Sequence, residues 1–65
     1  MPTENEQRTS YEVVKKILND ADEIMLQRIS KRVLDITYSI GGDYSESTLR
    51  SVALTIIDSH KNLLS

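Results

Sequence analysis

The sequence holds no cysteine, which excludes a disulfide scaffold, a thiolate metal site and thiol catalysis in this chain. It has one histidine, His60, so no multi-histidine metal site forms within one copy. Tryptophan and phenylalanine are absent, and three tyrosines are the whole aromatic complement. The core is therefore aliphatic, built from Ile, Leu and Val with two Met. No apolar run approaches the roughly 18 residues of a membrane span. The segment from Met1 to Ser10 is polar and acidic, unlike a signal or transit peptide, and a cytoplasmic location is the expectation. Acids outnumber Lys and Arg by 10 to 8, a net charge of −2, which argues against nucleic-acid binding by charge alone.

What is present is 65 residues, one domain at most, with apolar side chains at helical spacing. Area bookkeeping for so short a chain comes out near zero once conformational entropy is subtracted. With disulfides absent and metal ligands scarce, oligomerisation or tight helix packing must supply the remainder. The expectation is an all-α, three-helix bundle, an αα-hairpin plus an N-terminal helix, completed by homodimerisation.

Residues 1–9 hold the only proline, Pro2, and no apolar residue after Met1, the composition of a flexible polar tail. The single helical domain then covers 10–65. Thr9 and Glu12 have the T-x-x-E spacing of a capping box, and Tyr11, Val14, Ile17, Leu18, Ala21, Ile24 and Met25 recur at helical steps behind them. Asn19 and Asp20 are poor helix-interior residues, and Asp20 with Glu23 repeats the capping spacing in a variant form, so the spacing predicts a break or kink there, with one helix running through as the alternative. A second helix over 22–40 shows Leu26, Ile29, Val33, Ile36 and Ile40 on one face. Asp35 lies within reach of Lys31 or Arg32 on the other. Gly41-Gly42 ends it. A third helix over 45–63 starts with Ser45 as N-cap, Glu46 in the first turn, and Tyr44 and Leu49 at the spacing of a hydrophobic staple. Its stripe is Leu49, Val52, Ala53, Ile56, His60 and Leu63, broadened by Leu54, Ile57 and Leu64.

Little here can carry catalysis. His60 is the one base tuned near neutral pH, but Asp58 and Ser59 diverge from it on a helix. The acids of Asp20-Ala21-Asp22-Glu23 lack the third acid and the glycine of an EF-hand loop. Gly41-Gly42-Asp43 lacks P-loop spacing. Neither enzyme activity nor a cofactor is expected.

Two binding readings remain. The apolar stripes exceed what one short chain can cover, and contiguous apolar surface marks a protein interface. Leu49, Val52, Ile56, Ile57, His60 and Leu63 are the expected contacts of a homodimer or of another protein partner. The leading function is thus a small non-enzymatic regulatory or adaptor protein. The alternative rests on Ile36, Ile40, Gly41, Ser45, Leu49 and Val52, which resemble the apolar skeleton of a helix-turn-helix. Arg28, Lys31, Arg32, Ser47, Thr48 and Arg50 would then meet DNA, or an acidic partner. The turn is about two residues longer than usual, and Arg50 is the lone cation at the start of the third helix.

Overall fold

The computed structural model describes residues 2–64, with side chains through Ser59. Three helices make it up: α1 (Glu4–Ile17), α2 (Glu23–Ser39) and α3 (Glu46–Leu64). Each packs against both others, giving an all-α three-helix bundle whose α2 and α3 form an αα-hairpin. No strand occurs among the described residues.

Helix α1 starts earlier than Thr9. Thr3 is the N-cap: its hydroxyl accepts from the Glu6 N–H at 3.2 Å, and the Glu6 carboxylate accepts from the Thr3 N–H at 2.7 Å. Residues 4–9, expected to be tail, are helical. The chain contains two T-x-x-E tetrads, and the first is the one used as a cap. It sets Glu4 and Glu6 against the positive end of the helix dipole, and Glu, Gln and Arg propagate a helix without needing burial. Thr9 instead sits inside the helix, its hydroxyl donating to the Asn5 carbonyl at 2.9 Å.

The break near Asn19 is real. Leu18 closes α1 with its N–H on the Val14 carbonyl, and Asp22 caps α2, its carboxylate accepting from the Met25 N–H at 2.8 Å. At the far end of α2, Gly41 takes φ +69°, in the left-handed region that side-chain-bearing residues avoid. The Gly42 N–H reaches the Thr37 carbonyl and the Gly41 N–H reaches the Tyr38 carbonyl, the two bonds of a Schellman stop. A Cβ at Gly42 would stand 3.3 Å from the Thr48 methyl, so the loop passes close to α3.

Ser45 opens α3, its oxygen accepting from the Thr48 N–H at 3.3 Å. The Thr48 and Ser45 hydroxyls both donate to one carboxylate oxygen of Asp43, at 2.6 and 2.9 Å. These bonds, Thr48 first, hold the Asp43 carboxyl below its ordinary 3.8. A depressed carboxylate stabilises the fold above its unfolded value, and that contribution is lost as the pH falls through the lower folded one. Asp43→Asn is therefore expected to lower the melting temperature at about pH 6, by an amount that shrinks as the pH falls below the ordinary carboxylate range, which thermal melts across an acid pH series check.

The core is Val13, Val14, Leu26, Val33, Leu34, Leu49, Ala53 and Ile57, with Tyr11, Ile17, Leu18, Tyr44 and Val52 packed around its edge. Tyr44 contacts the core just ahead of the cap, as the staple spacing predicts. Its hydroxyl is buried and meets no partner among the described residues. Tyr44→Phe removes that unsatisfied group and is expected to stabilise the fold by about 1 kcal/mol. Urea unfolding measures this, and a loss of stability would show that the hydroxyl has a partner.

Helix α2 is rotated from the expected orientation. The buried residues are Leu26, Ser30, Val33, Leu34 and Thr37, whereas Ile29 and Ile36 are half-buried and Ile40 is 64% exposed. The rotation is possible because both polar residues are satisfied inside. The Thr37 hydroxyl donates to the Val33 carbonyl at 2.7 Å, and Ser30 pairs with Ser10 of α1. Small side chains at that crossing let α1 and α2 approach, and the bulkier isoleucines move to the side facing α3. Among the described residues the one ion pair is Lys16–Glu46 at 3.8 Å, exposed on both sides and worth little. Asp35 forms no ion pair with Lys31 or Arg32.

Candidate interaction surface

The rotation of α2 leaves an apolar groove between α2 and α3. It encloses about 610 Å³, with Met25, Ile29 and Ile36 on the α2 side and Thr55, Ile56 and Ser59 on the α3 side. Leu18, just past the end of α1, also lines it. Toward one end the groove passes into a notch of about 270 Å³ lined by Ile36, Ile40, Ser51, Val52, Thr55 and Ile56. The molecule measures 33 × 22 × 17 Å, so a concavity of this size lies at the surface rather than inside. Met25, 45% exposed, and Ile40 mark its two ends in water.

The two rims differ chemically. Arg28 and Arg32 stand on the α2 rim, four residues apart and exposed. Hydroxyls line the α3 rim, and that of Thr55 is already spent on the Ser51 carbonyl at 3.0 Å. No acidic side chain lines the groove among the described residues.

The six expected interface residues separate. Val52 and Ile56 are half-buried and line the groove. Leu49 at 0% exposure and Ile57 at 7% belong to the core of the single chain. Ile57 adds only a small edge to the groove, and Leu49 offers a partner no surface. His60 and Leu63 lie outside the residues whose side chains are described.

The six expected contacts for DNA or an acidic partner fall in two places along the hairpin. Arg28 and Arg32 flank the groove near the start of α2, while Lys31 is exposed but outside the lining. Ser47 and Arg50 are exposed near the start of α3, which the hairpin sets beside the far end of α2. Thr48 is spent on the Asp43 carboxylate. About 18 Å of helix axis separates Arg28 from the Ile40 end where α3 begins.

Met25, Ile29, Ile36 and Ile40 are groove residues that the sequence reading placed in apolar helix stripes. The signal available was an excess: α2 carries more apolar residues than two neighbouring helices can cover. Comparison with protein families, curated proteins and solved structures found no match.

Proposed function

We propose that this chain is a small non-enzymatic regulatory or adaptor protein, acting through helix-mediated binding of another protein and through homodimerisation. The observation that supports the reading is the α2/α3 groove, a contiguous apolar concavity on a small bundle, the kind of surface that protein partners cover. The small size of the core is a reason for a free copy to pair. Arg50 is the one cation near the start of α3, where phosphate binding needs several, so the helix-turn-helix alternative stands second.

Solution molar mass by light scattering tests the reading across a salt series, with and without generic duplex DNA. The expected result is a dimer that ignores both salt and DNA. A monomer at every concentration would remove the homodimer. A mass increase with DNA at low salt, lost on Arg50→Ala, would favour the nucleic-acid alternative.

A further inference from the structure

We infer that the α2/α3 groove receives an amphipathic helix with carboxylates along one flank. The inference rests on the protein-binding reading and narrows its partner. The groove runs beside α2 from Met25 to Ile40, about 22 Å of axis, which matches about four turns of a partner helix. Its walls are two helices, and no strand edge exists among the described residues to capture an extended peptide. The apolar face of a helix, with anchors at i, i+3, i+4 and i+7, suits the floor formed by Ile29, Ile36 and Ile56.

Charge chooses among such helices. Arg28 and Arg32 have no acidic partner among the described residues, and nothing acidic lines the groove, although the chain as a whole carries −2. Two guanidinium groups four residues apart on one rim match carboxylates four residues apart on the incoming helix. A second copy is the poorer occupant. A two-fold axis through the middle of the span from Met25 to Ile40 falls beside Arg32 and sets that residue against its own mate.

The test is titration of the full ¹⁵N-labelled chain with two synthetic peptides of about 16 residues. One is an amphipathic helix with a leucine stripe and two flanking glutamates four apart; the other has lysines in their place. The expected result is amide shifts at Ile29, Arg32, Ile36 and Ile56, with affinity for the glutamate peptide about tenfold the higher. Arg28→Glu with Arg32→Glu should reverse the preference, with an unchanged circular dichroism spectrum because both side chains are exposed. Equal affinity for the two peptides, or shifts mapping elsewhere, would overturn the acidic-helix inference and leave the protein-binding reading standing. Binding of neither peptide would overturn the groove as a protein site altogether. Groove amides that shift when the chain alone is diluted would give the seat to a second copy.

Discussion

Leu49→Ala is expected to destabilise the bundle by about 3 kcal/mol, within the usual range for a buried leucine. Leu49 has no exposed surface and lies in the cluster with Val13, Val14, Leu26, Val33, Leu34 and Ala53. Truncation loses the transfer free energy of the removed carbons and leaves a cavity that the helices relax into only in part. A domain of 65 residues has a total stability of roughly 3–10 kcal/mol, so this one change removes a large share of it. The melting temperature should fall by about 15 °C, and urea unfolding followed by circular dichroism should show the midpoint drop. Because Leu49 is in the fourth position of α3, behind the Ser45 cap and next to the Tyr44 staple, the first turn of α3 should fray as well. A cost below about 1 kcal/mol would show that Leu49 is not a core residue and would return it to the interface.

The second large effect is at Ser10 and Ser30, where α1 crosses α2. The Ser10 hydroxyl donates to the Ser30 carbonyl at 3.0 Å, and the Ser30 hydroxyl donates to the Ser10 oxygen at 3.1 Å. Both residues are buried. Ser10→Ala takes away the acceptor of the Ser30 hydroxyl and strands a donor in the interior, at a cost of about 2 kcal/mol. Ser30→Ala leaves the Ser10 bond to the backbone carbonyl intact and should cost about 0.5 kcal/mol. The double variant strands nothing, so it should be more stable than the sum of the two, with a coupling of about 1 kcal/mol. A double-mutant cycle by urea unfolding measures this. Strict additivity would show that the two hydroxyls act independently.

These two sites divide what was legible in the sequence from what was not. Leu49 follows a cap and sits on an apolar stripe, so its burial is readable from periodicity; that the cover comes from the same chain is not. A helical stripe says that one side of α3 is covered, without saying whether the cover is α1, α2 or another copy. Ser10 and Ser30 look like surface residues, because serine carries no burial signal in a sequence. Only the crossing of two helices turns a pair of hydroxyls into mutual partners.

Local chemistry determined the elements. Gly41 at positive φ and the Ser45 cap act within a few residues of themselves, so the α2 stop and the α3 start follow from the sequence, whereas the cap of α2 is Asp22 and not the Asp20 of the Asp20–Glu23 spacing. The start of α1 is also local, but two tetrads satisfy the same rule and no apolar residue among 4–9 distinguishes them. Tertiary structure decided the rotation of α2 and everything that depends on it. The apolar sector of that helix is wider than its two neighbours can cover, so several rotations would bury some of it. Packing small serines at the α1 crossing selected the rotation that leaves Ile29, Ile36 and Ile40 beside α3, with Arg28 and Arg32 above them. Periodicity fixes a direction only to within about a quarter of a turn or more, and the groove lies inside that margin.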